Sequence, residues 1–74
     1  MNITLNGKSR EFSDSITVAA MLAELQLHPQ QVAVEVNREI VKRDQFEIHQ
    51  VNDGDEIEIL RFVGGGGKED NNDR

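Results

Sequence analysis

The sequence has no cysteine, tryptophan or tyrosine, only one proline, and no long apolar run. Without cysteine there can be no disulfides, thiolate metal sites or cysteine nucleophiles. Because small secreted domains often need disulfides, this absence favours a reducing, cytoplasmic setting. No segment approaches the ~20 apolar residues of a membrane span, and the N-terminal stretch lacks the apolar core of a secretory signal. We therefore expect a cytoplasmic protein without a membrane partner.

Positive charge is also scarce, since 8 Lys and Arg residues stand against 14 Asp and Glu residues and give a net charge of −6. This balance argues against nucleic-acid binding, which depends on clustered basic residues. It suits a partner with a basic docking face, although it also serves solubility. A 74-residue chain forms one domain and buries only ~60% of its unfolded surface, so no deep catalytic cleft is expected. We expect a monomer when free, folding without a cofactor.

The residues that could carry catalysis or bind a metal do not form a recognisable constellation. His28 and His49 have no partner at metal-ligand spacing. The acidic residues of segment 53–58 lack the fixed offsets of a calcium loop, and two of them alternate with isoleucines as on the solvated side of a strand. Neither a G-x-S-x-G nor a Walker A motif is present. The chain is therefore predicted not to be an enzyme and to hold no metal.

The first half of the chain predicts a hairpin followed by a helix. Residues 2–6 alternate polar and apolar, Asn6-Gly7 is a strong hairpin-turn dipeptide, and residues 8–12 return as a polar strand near an edge. Thr17 is a candidate N-cap, and Pro29 is expected to stop the helix. The helix should present one apolar face at the i, i+3, i+4 and i+7 positions Val18, Met21, Leu22 and Leu25.

The second half predicts three strands around an irregular segment. Residues 32–37 should form a strand with its valines inward, residues 40–41 a short strand, and residues 56–60 the last strand with Ile57 and Ile59 inward. A turn is expected at Asp53-Gly54-Asp55. Within the irregular residues 44–52, the side chains expected to plug the lower core are Phe46, Ile48 and Val51.

This order of elements predicts an α+β fold of the β-grasp, or ubiquitin-like, class. One helix can shield only one side of a sheet, so we expect a mixed sheet of four to five strands covered on one face by one helix. The first hairpin and the last strand can share the sheet centre. The predicted organisation is a β-grasp domain over residues 1–63, a flexible glycine run over 64–67, and a disordered polar tail over 68–74.

The glycine run is the most informative feature for function. Taken alone, Gly64–Gly67 could be a flexible linker. Its position suggests more, because only Arg61-Phe62-Val63 separate it from the final strand. Glycine has no Cβ, so such a backbone can thread a narrow channel and leaves its carbonyl open to attack. These are the demands on a protein that presents its own C-terminal carboxylate for activation.

The sequence resembles the ThiS family of sulfur carriers for thiamine biosynthesis, over residues 2–67. Each matching stretch is weak alone, but their order and spacing before a glycine end are distinctive. The stretches are Val34-Glu35-Val36-Asn37, Ile40-Val41-x-Arg43, Asp53-Gly54-Asp55-x-Ile57-Glu58-Ile59 and Phe62-Val63-Gly64-Gly65-Gly66.

The resemblance implies a carrier that partner enzymes act upon. A ubiquitin-activating-like adenylyltransferase (ThiF-like) adenylates the terminal carboxylate with ATP, sulfur converts it to a thiocarboxylate, and thiazole synthase (ThiG-like) takes the sulfur from the inserted tail. ATP and the sulfur donor belong to the partners. Carried onto this chain, the implied roles are adenylation and thiocarboxylate formation at Gly66 or Gly67, tail threading by Gly64 and Gly65, and partner binding by Arg61, Phe62 and Val63. The outward face of the sheet is expected to carry the docking surface.

The chain departs from the family because it continues past the glycines with the tail KEDNNDR. While this tail remains, the reactive carboxylate is a peptide amide, so we hypothesise a processing peptidase that cuts after Gly66 or Gly67. The tail could instead be foreign to the native protein, or the carrier role could be lost. The alternative functions are a molybdopterin-synthase small-subunit-like carrier and a non-catalytic β-grasp binding module or protein modifier.

Overall fold

The computed structural model describes residues 1–13 and 15–62. The predictions made for Val63, the glycine run Gly64–Gly67 and the tail lie outside the described residues. The elements follow one another in the order β1 (Asn2–Leu5), β2 (Lys8–Glu11), β3 (Ile16–Thr17), α1 (Val18–Glu24), a 3₁₀ turn (Pro29–Gln31), β4 (Val32–Val36), β5 (Glu39–Val41), a second 3₁₀ turn (Arg43–Gln45), β6 (Gln50–Val51) and β7 (Glu56–Arg61).

Five of the strands form one mixed sheet in the order β2-β1-β7-β4-β5. Strands β1 and β7 run parallel, and the other neighbours run antiparallel. The last strand therefore lies in the middle of the sheet beside the first hairpin, as the sequence predicted. With α1 packed on one face, this arrangement confirms the β-grasp fold.

The first hairpin forms because its turn residues tolerate left-handed backbone. Asn6 has φ +49° and Gly7 has φ +81°, the pair of positive angles that a tight two-residue hairpin requires. The register sets Leu5 opposite Lys8 across this turn. All four residues of β2 are exposed, and β2 lies at the sheet edge, so the predicted polar edge strand is confirmed over residues 8–11. Phe12 lies beyond the strand and is buried.

The helix begins where its cap residue predicts. The N–H of Ala20 donates to Thr17 Oγ1 at 3.1 Å, which satisfies one of the free amides of the first turn. Val18, Met21 and Leu22 are buried against the sheet, whereas Leu25 is only half-buried because it is already the C-cap. The predicted apolar face is thus confirmed over the first turns.

The helix does not continue to Pro29, so that part of the prediction is wrong. It ends at Glu24, because Gln26 adopts a left-handed φ of +60°. The N–H of Leu27 then donates to the Leu22 carbonyl and that of Gln26 to the Ala23 carbonyl, the two bonds of a Schellman ending. Pro29 instead starts the following 3₁₀ turn.

The irregular segment packs differently from the prediction. Phe46 and Val51 are buried as expected, but Ile48 is 67% exposed and does not plug the core. The N–H groups of Ile48 and His49 both donate to the Gln45 carbonyl, so the chain closes a turn on itself and carries Ile48 outward. No sequence pattern predicts the pairing of β6 with β3 as a separate two-stranded sheet.

The core lies between α1 and the inner face of the sheet. The three valines of β4 are buried, Ile57 is fully buried and Ile59 packs partly against the core, so the predicted inward alternation of β4 and β7 is confirmed. The described residues contain no helix long and apolar enough to cross a membrane.

Candidate functional site

The site begins where β7 leads out of the sheet toward the glycine run. Strand β7 pairs with β4 along its length, with Val32 opposite Arg61 and Val34 opposite Ile59. Beyond the strand, the N–H of Phe62 still donates to the Gln31 carbonyl at 2.8 Å. The chain is therefore held by backbone pairing up to the last residue that the structure describes.

A side chain from the first hairpin holds the other edge of β7. Asn6 Oδ1 accepts from the N–H of Ile59 at 2.7 Å, and Asn6 Nδ2 donates to the Ile59 carbonyl at 3.2 Å. The backbone N–H of Asn6 donates to the Ile57 carbonyl at 2.9 Å. The carboxamide thus replaces the two backbone groups that β1 would have offered if it had continued past Leu5. These two hydrogen bonds fix the end of β7 against the first hairpin.

Two of the three residues predicted to bind the partner can be located, and both are accessible. Arg61 is exposed and ends β7, while Phe62 is 50% exposed and follows it. A phenylalanine serving only its own core would be buried, as Phe12 is at 5% exposure. The structure therefore places an available aromatic side chain at the root of the tail. Val63 and the four glycines lie outside the described residues.

The face of the sheet turned away from α1, here termed the outer face, carries an exposed apolar patch. The register places Ala33 opposite Leu60 and Glu35 opposite both Ile40 and Glu58. Ile40 is 75% exposed and Leu60 is 66% exposed. Together with the carboxylates beside them, these residues line a shallow depression on the sheet.

The charges of the five strands are divided between the two sides of the sheet. By register, the basic residues Lys8, Arg10 and Arg61 stand opposite the inward residues Leu5, Ile3 and Val32. No strand lysine or arginine falls on the outer face. The strand carboxylates that fall there by register and alternation are Glu11, Glu35, Glu56 and Glu58. Among the residues of the five strands, the outer face is therefore apolar at Ile40 and Leu60 and acidic beside them, while Lys42, which follows β5, lines a second depression together with Ile40.

No alternative chemical centre competes with this surface among the described residues. They contain no group of three or more His, Asp or Glu side chains placed to hold a metal ion. His28 Nδ1 accepts from the N–H of Gln30 at 3.0 Å, so this imidazole caps the 3₁₀ turn. Asp53 Oδ1 accepts from the N–H of Asn2, and the Asp55 carboxylate accepts from Asn37 Nδ2 and the N–H of Asn52, so both acids serve turns.

Sequence reasoning missed Asn6, Ile40 and Leu60 as parts of this site. A signal was present for the two apolar residues, because alternation from the inward Val41 and Ile59 places Ile40 and Leu60 on the opposite face. No local signal could identify the second role of Asn6. Its partner Ile59 is 53 residues away and is brought close only by the parallel pairing of β1 with β7.

Comparison with known proteins agrees with this arrangement. The ThiS family model matches residues 3–66. The sulfur carrier protein ThiS of Bacillus subtilis is 40% identical over 65 residues, which cover 86% of this chain and 98% of that protein. The crystal structure of the thiamine biosynthesis protein ThiS from Geobacter metallireducens is 39% identical, with a TM-score of 0.78 over 89% of this chain and all of the other.

A longer protein also contains a similar stretch. The thiazole synthase of Paramagnetospirillum magneticum is 48% identical over 66 residues, which cover 89% of this chain but only 20% of that enzyme. This chain thus spans about a fifth of that relative's length. The family match runs through the sheet and its last strand, β7, into the glycine run, and on this basis the chain belongs to the ThiS family, the sulfur carriers of thiamine biosynthesis.

Proposed function

We propose that this chain carries sulfur as a thiocarboxylate on its terminal glycine and delivers it to thiazole synthesis. The observation that carries the proposal is the connection between β7 and the glycine run. Asn6 holds the end of β7 by hydrogen bonds, the glycine run follows this exit strand in the chain, and the family match ends within the run, at Gly66. A glycine backbone can enter an active site that would exclude side chains. The end of the match favours Gly66 over Gly67 as the reactive residue, with Gly64 and Gly65 threading behind it.

The chemistry requires two steps on the carboxylate of Gly66. In the first, a carboxylate oxygen attacks the α-phosphorus of ATP, and pyrophosphate leaves as the acyl adenylate forms. In the second, a sulfur nucleophile at the oxidation level of sulfide adds to the acyl carbon, and AMP leaves. The chain supplies only the carboxylate and its presentation; catalysis belongs to a ubiquitin-activating-like (ThiF-like) adenylating enzyme.

The outer face is the docking surface proposed for that adenylating enzyme. Leu60 and Ile40 offer exposed apolar area, and four strand carboxylates with no strand cation beside them favour a basic partner surface. Phe62 extends this surface to the root of the tail. Docking here would leave the glycine run free to enter the enzyme's active site.

Thiazole synthase (ThiG-like) is the proposed acceptor of the sulfur. The support is the 48% identical stretch that lies within the Paramagnetospirillum magneticum thiazole synthase, where a carrier-like segment shares one polypeptide with the enzyme. The residues after the reactive glycine keep its carbonyl in a peptide bond, so a peptidase must release that carboxylate first. The proposed setting for these steps is the cytoplasm.

Reconstitution tests the proposal. The chain ending at Gly66 is incubated with the adenylating enzyme, ATP and sulfide, and pyrophosphate release and intact mass are followed. We expect ATP-dependent pyrophosphate release and then a mass gain equal to exchange of one oxygen for sulfur. The 74-residue chain is the matched control and should remain unmodified; a chain ending at Gly67 tests which glycine reacts.

A non-catalytic binding module would behave differently. It would tolerate Gly65→Ala and Gly66→Ala without loss of function, whereas a threaded tail should fail when methyl groups are added. If neither the chain ending at Gly66 nor the chain ending at Gly67 releases pyrophosphate, the carrier proposal is rejected.

A further inference from the structure

The hydrogen-bonding pattern of β7 divides its residues between two neighbours. On the β4 side, the N–H of Asn37 donates to the Glu56 carbonyl at 2.7 Å, and the N–H of Phe62 donates to the Gln31 carbonyl at 2.8 Å. In an antiparallel pair, hydrogen-bonded and non-hydrogen-bonded positions alternate. The even-numbered residues of β7 therefore bond to β4, and the backbone groups of the odd-numbered residues point toward β1.

The odd-numbered positions are satisfied one after another until the end of the strand. The carbonyl of Ile57 accepts from the N–H of Asn6, and both backbone groups of Ile59 bond to the Asn6 carboxamide. The next odd position is Arg61. The hairpin has turned away at Gly7, and no described residue donates to the Arg61 carbonyl or accepts from its N–H.

We propose that this open edge at Arg61 pairs with an extended segment of thiazole synthase, so that the carrier delivers its tail as part of a shared β-ladder. This inference rests on the proposed function, since it names how the sulfur acceptor holds the chain. The incoming segment would occupy the position that β1 would reach if it continued past Asn6.

The position of the edge argues for this occupant. An exposed strand edge with free N–H and C=O groups is a template for another strand, and proteins usually cover or interrupt such edges. On this side of β7 the carboxamide of Asn6 bonds to Ile59, and the next position, Arg61, has no partner among the described residues. An enzyme that admits the tail must approach this point. Thiazole synthase is the acceptor that the comparisons support, because one such enzyme contains a stretch like this chain in its own polypeptide.

Pairing at Arg61 would supply binding that does not depend on side-chain identity. Main-chain hydrogen bonds of strand addition give affinity, and neighbouring side chains give specificity. Leu60, on the outer face, and Phe62, directly after the strand, flank the position and are exposed at 66% and 50%. Pairing would also hold the chain extended at the root of the tail and so direct it into the active site.

Amide hydrogen exchange on the unmodified chain tests the pairing directly. It is measured by NMR on the full chain and on the chain ending at Gly66, each free and with thiazole synthase of the same host. The Arg61 amide should exchange near the rate of an unstructured peptide in the free protein and at least about tenfold more slowly in the complex. The Phe62 amide is the internal control and should be protected in both states, because it already bonds to Gln31.

A pair of variants separates the backbone of Arg61 from its side chain. Arg61→Ala removes only the side chain, whereas Arg61→Pro also removes the N–H and fills the edge. The proline variant should bind thiazole synthase at least about tenfold more weakly than the alanine variant. A thermal melt of each variant verifies that both remain folded.

Each result decides between this inference and its alternatives. A complex in which the Arg61 amide stays unprotected, or equal affinities of the proline and alanine variants, would overturn the shared ladder while leaving the carrier function intact. Protection already present in the free protein would assign the edge to the chain's own tail, and protection that rises with protein concentration would assign it to a second copy. Failure of the unmodified chain to bind thiazole synthase in either form would reject the acceptor itself.

Discussion

Asn6 combines two roles that are usually divided between residues. Its backbone accepts a positive φ in the hairpin turn, and its carboxamide makes two hydrogen bonds to Ile59 on a strand from the far end of the chain. The direction of the exit strand therefore depends on a residue that the sequence marks only as a turn former.

Replacing Asn6 by glycine tests whether its two side-chain hydrogen bonds to Ile59, here termed the clamp, stabilise the fold. Glycine keeps the positive φ and loses both side-chain bonds, so Asn6→Gly should lower the free energy of unfolding by roughly 1–2 kcal/mol. The control is Asn2→Ala on the adjoining strand β1, at an exposed asparagine whose side chain bonds to no described residue. Equal stability of the two variants in urea unfolding would contradict the clamp.

The phenylalanines at positions 12 and 62 differ in burial and should differ in effect. Phe12 is 5% exposed, so Phe12→Ala should cost about 3–5 kcal/mol of stability, whereas Phe62→Ala at 50% exposure should cost less than about 1 kcal/mol. Phe62→Ala should instead weaken binding to the adenylating enzyme about fivefold or more. Thermal melts and binding titrations of the two variants measure both effects, and unchanged binding by the Phe62 variant would remove that side chain from the site.

Among the elements, the strands and the N-terminus of the helix were the most predictable from sequence. The two-residue alternation of β4 and β7 gives their inward residues directly, and Thr17 marks the helix start because its hydroxyl oxygen accepts a hydrogen bond from the N–H of Ala20. The helix end was missed because its left-handed residue is a glutamine rather than the usual glycine, so composition gives no signal.

The parts that sequence could not predict depend on distant contacts. The exposed position of Ile48 follows from a turn closed by Gln45, and the short pairing of β3 with β6 depends on where the helix and the loop meet. Periodicity reports which side chains alternate, but it does not report which short segments become neighbours. The predicted partner residues Arg61 and Phe62 are accessible in the structure. Which of their backbone groups are bonded could not be predicted, because it depends on the register between β7 and β4.

The end of α1 gives a prediction at the scale of the elements, because it depends on one residue in a left-handed backbone conformation. Gln26 has φ +60°, a conformation that costs a non-glycine residue about 1 kcal/mol, so Gln26→Gly should raise stability by up to about 1 kcal/mol and the melting temperature by several degrees. Gln30→Gly is the matched control, since Gln30 has no positive φ and should gain nothing from glycine. A melting temperature that falls for Gln26→Gly as much as for the control would refute this reading.

At the scale of the whole molecule, the buried core and the proposed docking surface lie on opposite faces of the sheet. The inner face of the sheet is closed by α1, and the outer face combines exposed apolar side chains with carboxylates and lies beside the exit strand. One small domain therefore keeps its core on one side of the sheet and leaves the other side, the proposed docking surface, exposed.

Exposed isoleucines on and off the outer face give a matched test of docking. Ile40→Ser removes apolar area from the outer face at 75% exposure, and Ile48→Ser removes a similar area elsewhere at 67% exposure. Both variants should fold normally, but only Ile40→Ser, alone or with Leu60→Ser, should weaken the complex with the adenylating enzyme, about tenfold for the pair. Affinity of the unmodified chain should also fall as salt rises, because the proposed docking surface sets its carboxylates against a basic partner. Equal losses for the two isoleucine variants would place the docking surface elsewhere.

The central claim is that the chain works through a freed and sulfur-charged glycine end. Intact-mass measurement of the protein recovered from actively growing native cells tests it most directly. The account predicts a species that ends at Gly66 and carries one sulfur in place of a carboxylate oxygen. Recovery of only the longer chain, with the Gly66 carbonyl still in peptide linkage and no sulfur added, would contradict it.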